Sequence, residues 1–217
     1  IQAGSYRCPD SFRDIIGRYQ EVDFRMDYEY RHFYSAYDRL EDTANFEPLR
    51  DLVENIYTNE YLGTLLPKWN HAIMGSDSFM VLPLQRDFYA RNLKNAKERI
   101  VVIISDALRY EVGKELFLRM QDDPKCTAKL EVQLSVLPSY TRLGMAALLP
   151  HTALELTNDF KVLIDGQPCD NLSEREAVLR KYSSDSVCVQ FDRIKSLKIA
   201  ELRNIFTGKQ VVYVYHN

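Results

Sequence analysis

Three groups of polar residues follow predicted strands in this chain, and their side chains are of the kinds that bind metals or attack phosphorus. Ser105 and Asp106 come directly after the apolar run Ile100–Ile104. A carboxylate at such a position can ligate a divalent cation or act as a base. His216 follows the apolar run Val211–Tyr215, and imidazole at the end of a strand suits zinc. In an open α/β sheet, ligands bind at the carboxyl ends of the strands, so these side chains are candidates for a site.

The third group lies between a predicted strand and a predicted helix, in the segment Leu137–Arg142. It places the hydroxyls of Ser139 and Thr141 and the guanidinium of Arg142 near the start of that helix. Backbone N–H groups and the helix dipole favour an anion there. A hydroxyl held at this point could attack phosphorus if a metal lowers its pKa.

Each of these groups also has a purely structural interpretation. Asp106 could cap the following helix, and the hydroxyl of Thr141 could be an N-cap. A single histidine such as His216 is often structural or exposed to solvent. The residue types and their positions leave both interpretations open.

The first hundred residues predict helices. Apolar residues at spacings of three and four between Ile15 and Leu40 indicate one long amphipathic helix. A second helix follows Pro48, breaks near Gly63 or Pro67 and resumes toward Ile73. The composition of residues 75–78 predicts a loop, and a third helix is expected over about 83–97. Together they predict a small helical bundle over residues 1–99.

The pattern changes at Ile100, where strands begin to alternate with helices, as expected for a mostly parallel α/β sheet over residues 100–217. The run at 100–104 is β-branched and continuous, which is typical of a strand buried on both faces. Other predicted strands cover 130–137, 161–164 (with a turn at 165–167), 187–191 and 211–215. Predicted helices cover 107–120, 141–149, a stretch opened by a capping box at 173–176, and 196–206.

Composition limits the classes of function. The net charge of −3 excludes a broadly cationic surface but leaves a local basic groove open. No apolar run approaches the roughly 18–20 residues that span a bilayer. The four cysteines lie far apart, without a CxxC pair, which predicts free thiols in a reducing, cytosolic compartment. The chain starts at Ile1 and stops directly after an apolar strand, so we expect a piece of a longer protein.

Three stretches carry a resemblance to a known family. They are VVIISDALRYEVGKEL (101–116), LPSYTRLGMAALLPH (137–151) and VVYVYHN (211–217). In this order they resemble the PglZ family of the alkaline phosphatase superfamily, in particular the type A proteins of bacterial BREX phage-defence systems. The upstream helical text DYEYRHFYSAYDRL and DLVENIYTNEYLGTLLPKW is also similar to the region that precedes the PglZ domain.

The resemblance implies an alkaline-phosphatase-like sheet and a phosphoryl-transfer enzyme with two divalent metals, often zinc. It assigns Asp106 and Thr141 as metal ligands, Thr141 also as the nucleophile, and Ser139 as the alternative nucleophile. His216 corresponds to the first member of the next ligand group, and Arg142 to a contact of the substrate phosphate. The implied substrate is a phosphate ester or diester, DNA included, and the implied partners are other BREX proteins.

The superfamily takes further ligands from a later Asp–His segment, which this chain lacks. We therefore expect the chain alone to be inactive, and activity to belong to a longer protein. A competing hypothesis makes the domain a scaffold whose tyrosine-rich helical region, 1–99, binds other defence proteins.

Overall fold

The computed structural model describes residues 6–75 and 82–216. Contacts between Cα atoms divide the chain into two compact units, residues 1–81 with 109–130 and residues 82–108 with 131–217. The first is here called the helical unit and the second the sheet unit. The helical unit therefore includes a helix from the middle of the sequence. The division into domains 1–99 and 100–217 stays a prediction.

The helical unit contains two long helical stretches, each with a π-helical middle. The first runs through α1 (Phe12–Arg18), a π-helical segment (Tyr19–Asp23) and α2 (Phe24–Tyr37). After a short 3-10 turn (Ala44–Phe46), the second runs through α3 (Glu47–Asn55), a π-helical segment (Ile56–Leu62) and α4 (Gly63–Met74). Helix α6 (Tyr110–Gln121) packs on α2.

Carboxylates inside the helical unit are paired with tyrosine hydroxyls and arginines. Asp27 accepts hydrogen bonds from the hydroxyls of Tyr19 and Tyr57. Glu111 on α6, only 2% exposed, forms an ion pair with Arg31 on α2. Buried polar groups need such partners, because an unpaired one loses its hydration without compensation.

The sheet unit is built on three parallel strands. They are β1 (Ile100–Ser105), β5 (Ser186–Gln190) and β6 (Val211–His216), in the spatial order β1-β6-β5. The central strand β6 is buried from Val211 to Tyr215, which explains its unbroken apolar sequence. The prediction that the run at 100–104 is buried on both faces is wrong, because β1 lies at the edge of the described sheet and leaves Val101 and Ile103 exposed. The predicted fold class, a mixed α/β domain with a parallel sheet and an N-terminal helical region, is confirmed.

A small antiparallel sheet and several helices complete this unit. The sheet contains β2 (Leu154–Leu156), β3 (Val162–Ile164) and β4 (Gln167–Pro168). The predicted hairpin at 161–167 is therefore present. The helices are α5 (Phe88–Asn92), α7 (Thr141–Ala147), α8 (Leu172–Tyr182), α9 (Phe191–Ile194) and α10 (Ile199–Phe206).

The core of the sheet unit joins α7, α8 and the strands. Leu149, Val162, Leu179 and Tyr213 are fully buried there. The hydroxyl of Tyr213 donates to the carbonyl oxygen of Leu148 at 2.8 Å, so even this buried polar group is paired. This contact ties the chain just after α7 to the central strand.

Several predicted helix bounds are wrong. The second helix does not break at Gly63 or Pro67, because a π-helical segment leads directly into α4, which contains Pro67. The helix predicted over 83–97 is reduced to a 3-10 turn (Gln85–Asp87) and α5. The predicted loop at 75–78 lies outside the described residues except for Gly75.

The strand predicted over 130–137 is also wrong. Its residues alternate in hydropathy, but within the described chain the only β-bridge there joins Leu134 to Leu84. The predicted capping box at 173–176 is displaced by two residues: the side chain of Asn171 accepts the N–H of Glu174, whose carboxylate accepts the N–H of Asn171.

Two observations concern location. All four cysteines are free thiols, with Cys126 exposed and Cys8, Cys169 and Cys188 buried. Within the described residues, no helix combines the length and the apolar character needed to cross a bilayer. The cytosolic location stays a prediction.

Candidate active site

The ends of β1 and β6 bring two of the predicted site residues together. Ser105 and His216 are partners in the register of these parallel strands. The Oγ of Ser105 lies 2.9 Å from Nδ1 of His216, and the backbone N–H of Asp106 donates to the carbonyl oxygen of His216 at 2.9 Å. The carboxyl edge of the sheet therefore carries a serine, a carboxylate and an imidazole next to one another.

Asp106 lies at the turn after β1 and is exposed. One oxygen of its carboxylate, Oδ1, accepts the backbone N–H of Ala107 at 3.0 Å, and Ala107 has a positive φ of 57°. Helix α6 begins only at Tyr110, with Arg109 as its N-cap. Asp106 is therefore not the cap of that helix, and the second oxygen of its carboxylate has no partner among the described residues.

Thr141 is the first residue of α7, and its N-cap is Tyr140. No side-chain hydrogen bond caps this helix, so the N-cap interpretation of the Thr141 hydroxyl is wrong. The side chain is exposed, and within the described chain no hydrogen bond occupies its hydroxyl. The hydroxyl is thus available to a ligand.

Gln85, which no sequence pattern singles out, positions α7. Its Nε2 donates to the carbonyl oxygen of Gly144 at 3.2 Å, and its Oε1 accepts the N–H of Val136 at 3.1 Å. Its backbone N–H donates to the carbonyl oxygen of Leu134 at 2.8 Å. One side chain therefore ties the segment before Ser139 to the helix that carries Thr141.

Asp106 and Thr141 line one cleft of about 430 Å³, here called the Asp106 cleft. Ser105, Ser135, Ser139 and Gln85 also line it. Among the described residues of its lining, Asp106 carries the only charge. The cleft therefore combines one carboxylate with several neutral oxygen donors.

His216 is adjacent to this cleft without lining it. Its ring contacts Ser105 through Nδ1 and packs edge-on against Phe191, with the ring centroids 4.9 Å apart. Since Nδ1 faces Ser105, Nε2 is the nitrogen left for a ligand. Ser105, which does line the cleft, is the link between His216 and Asp106.

Arg142 lies on the other side of Thr141, in a second cleft of about 460 Å³, here called the Arg142 cleft. Asp170, Arg175 and Gln190 also line it, and Tyr140, Thr141 and Met145 line both clefts. Nη1 of Arg142 lies 3.8 Å from Oδ1 of Asp170, which is an ion pair beyond hydrogen-bond distance. Arg142, the predicted substrate contact, therefore lies next to Thr141, the predicted nucleophile, but in a separate cleft.

The described residues do not contain a complete metal centre. Asp106 offers a free carboxylate oxygen and Thr141 a free hydroxyl in the same cleft, which suit a hard or borderline divalent cation. However, residues 6–75 and 82–216 contain no group of three or more His, Cys, Asp or Glu side chains that could hold an ion. The two predicted zinc ions therefore lack a complete set of ligands in this part of the chain.

Comparison with known proteins assigns the family. A family model described as the BREX system PglZ alkaline phosphatase-like domain matches residues 87–217. The chain belongs to the PglZ family. Alkaline phosphatase-like protein PglZ of Bacillus cereus (strain H3081.97) is 37% identical over 211 residues, covering 94% of this chain and 25% of that relative. Alkaline phosphatase-like protein BrxZ of Escherichia coli O9:H4 (strain HS) is 35% identical over 213 residues, covering 92% and 24% respectively.

The chain thus spans about a quarter of the length of these PglZ relatives. No solved structure matches it significantly. The PglZ match begins at residue 87, close to the start of the sheet unit at 82, and includes every predicted site residue. The resemblance read from the sequence is therefore confirmed, and the residues of the candidate site lie within the part of the chain that matches the alkaline phosphatase-like domain.

Proposed function

We propose that this PglZ domain is the nucleophile-bearing part of a metal-dependent enzyme that transfers phosphoryl groups from phosphate esters or diesters. The observation that carries the proposal is that Asp106 and Thr141, far apart in sequence, line one cleft at the carboxyl edge of a parallel sheet. In such sheets this edge is where ligands bind. The family description points to the same chemistry.

In the proposed reaction, Oγ1 of Thr141 attacks phosphorus as its proton passes to solvent, the bond between phosphorus and the ester oxygen breaks, and that oxygen leaves with a proton taken from water. Water then hydrolyses the phosphothreonine and restores the hydroxyl. A bound divalent cation would stabilise the negative charge that develops on the oxygens around phosphorus. Asp106 and Thr141 are the donors that this domain contributes to it, with His216 as a third through Nε2.

Ser139 is the alternative nucleophile, since it also lines the Asp106 cleft. Its position before α7 places it outside the helix that holds Thr141. Thr141 is the better candidate because it also lines the adjoining Arg142 cleft, whereas Ser139 is not part of that lining.

The experiment is hydrolysis of bis(p-nitrophenyl) phosphate with Zn²⁺, Mn²⁺ or Mg²⁺, by this chain and by a PglZ protein of the relatives' full length. We expect only the long protein to be active, because the set of metal ligands is incomplete in the described residues of this chain. Asp106→Asn and Thr141→Ala should abolish it, whereas Asp185→Asn, at the opposite end of β5, should not. Full activity of both site variants would refute the assignment.

A second candidate function is a scaffold that assembles other BREX proteins. It is favoured by exposed apolar side chains on the helical unit, at Phe46, Leu49, Leu52 and Leu66. The tyrosines are weaker candidates for docking, because Tyr19, Tyr30, Tyr34 and Tyr57 all donate to carboxylates of their own unit. Co-purification of BREX proteins that survives Asp106→Asn and is lost with Leu49→Asp and Leu52→Asp would support it.

A further inference from the structure

The Arg142 cleft and the Asp106 cleft meet at Thr141 but differ in charge. Tyr140, Thr141 and Met145 are common to both linings. The Asp106 cleft has one charge, a carboxylate, among its described lining residues. The Arg142 cleft carries two arginines and one aspartate, a net charge of +1. A phosphodiester has two ester arms that leave phosphorus in different directions, and two clefts beside one nucleophile can take one arm each.

Arg175 gives the Arg142 cleft a fixed cation. Its side chain is only 7% exposed. Nε donates to the carbonyl oxygen of Cys169 at 3.1 Å, and Nη2 donates to that of Asp170 at 3.0 Å. The guanidinium also lies 5.0 Å from the ring centroid of Tyr215. These contacts leave Nη1 without an acceptor among the described residues, so a donor of a buried, preorganised cation remains for a ligand.

The side-chain carboxylate of Asp170 accepts no hydrogen bond from either of the two arginines in this cleft. Oδ1 of its carboxylate is buried and has no hydrogen-bond partner within the described chain. Its ion pair with Arg142 is 3.8 Å long, so the guanidinium donors of Arg142 are also not taken up. A buried acceptor that receives no hydrogen bond is unfavourable. The carboxylate of Asp170 thus shares the cleft with the two guanidinium groups but accepts a hydrogen bond from neither of them.

We propose that the Arg142 cleft is a second phosphate subsite, which binds a phosphate group next to the scissile one on the same substrate. Arg142, Nη1 of Arg175 and the amide of Gln190 bind this group, and Asp170 weakens its binding through charge repulsion. The inference rests on the proposed function for the identity of the scissile phosphate. It narrows the substrate class from esters in general to phosphodiesters whose arm carries a further phosphate.

The test measures binding by calorimetry, without metal, to two probes: the thymidine dinucleotide TpT and its 5′-phosphorylated form pTpT. We expect pTpT to bind the chain at least about 10-fold more tightly, as a charge-assisted contact allows. Arg142→Gln should remove most of this preference. The matched control Arg203→Gln, on exposed α10, should keep it. Equal binding of the two probes by the unaltered chain would overturn the subsite.

Asp170→Asn provides a test of opposite sign, which a loss of folding could not imitate. Removing the repelling charge should increase the affinity for pTpT several-fold, while Asp185→Asn at the amino end of β5 should leave it unchanged. A decrease in Asp170→Asn would contradict the proposed role. Arg175 is not the variant of choice, since its guanidinium also holds two buried carbonyl groups.

The same measurement separates this inference from the proposed function. Asp106→Asn and Thr141→Ala should keep the preference for pTpT, because both residues act on the scissile phosphate. If hydrolysis by the long protein fails while the preference persists, only the proposed function fails. If hydrolysis depends on Thr141 but the preference is absent, only the second subsite fails.

Discussion

Nδ1 of His216 lies 2.9 Å from Oγ of Ser105, at the ends of two neighbouring parallel strands. For Nε2 to bind a metal, the ring must carry its proton on Nδ1 and donate it to Ser105. Ser105 holds the orientation of the imidazole and can accept the N–H of that tautomer, as the outer partners of metal-binding histidines do.

We predict from this contact that Ser105→Ala weakens Zn²⁺ binding about 10-fold or more in the full-length protein. The measurement is competition with a chromogenic chelator. Ser135→Ala, a second serine of the same cleft, is the control and should have little effect. Identical affinities for the two variants would remove His216 from the ligand set.

Thr141→Ala should change the free energy of unfolding by less than about 0.5 kcal/mol, because its hydroxyl caps nothing. Activity in the full-length protein should be lost. Asn171→Ala, which removes a true N-cap on α8, should cost about 1 kcal/mol in the same urea titration. A cost of that size in Thr141→Ala would restore a structural role for the hydroxyl.

The two glutamates of α6 should differ sharply in their effect on stability. Glu111 is buried and paired with Arg31, so Glu111→Gln leaves a cation without its partner and should cost about 3 kcal/mol. Glu115 is paired with Arg119 on the surface, and Glu115→Gln should cost no more than about 0.5 kcal/mol. Urea unfolding of both variants at neutral pH provides the comparison. Equal costs would contradict the buried pair.

Asp165 should make the free energy of unfolding depend on pH in the acidic range. Its carboxylate accepts the backbone N–H groups of Ala153 and Thr152, at 2.7 and 3.0 Å, and the hydroxyl of Tyr182. These hydrogen bonds, foremost the one from Ala153, hold the pKa of Asp165 below its ordinary value. A lowered pKa means that the stabilisation is complete above the unfolded pKa of about 3.9 and is lost as the pH falls through the folded pKa.

Asp165→Asn should therefore show a smaller fall in unfolding free energy between pH 5 and pH 2 than the unaltered chain, because Asn does not titrate. The measurement is urea unfolding across that range. Asp185→Asn, an exposed site whose side chain has no partner in the described chain, should keep the original slope. An unchanged slope in Asp165→Asn would contradict the lowered pKa.

Local patterns were sufficient to predict two strands of the parallel sheet, but not how deeply each is buried. The apolar runs at 100–104 and 211–215 are both strands, and the central strand at 211–215 is buried throughout, whereas the strand at 100–104 leaves Val101 and Ile103 exposed. The alternating run at 130–137 predicted a strand that does not form, because a strand also needs a neighbouring strand with which to pair. There, Leu134 bridges only Leu84 among the described residues.

The displaced capping box has a similar cause. Ser173 and Glu176 have the right spacing, but so do Asn171 and Glu174, and both pairs contain a good capping residue. In the structure the Asn171–Glu174 pair forms the box, while the carboxylate of Glu176 accepts the backbone N–H of Cys188 on the distant strand β5. Such a contact leaves no trace in local sequence spacing.

The sequence by itself determined the family, the parallel α/β character and the chemical identity of Asp106, Thr141 and His216. Only the tertiary structure decided how they are grouped. Strand β6 pairs between β1 and β5, which brings His216 to Ser105 across 111 positions of sequence. Gln85 and the cleft linings then place Thr141 between a carboxylate and two arginines. Strand order and packing depend on contacts between distant segments, which no local pattern of residues specifies.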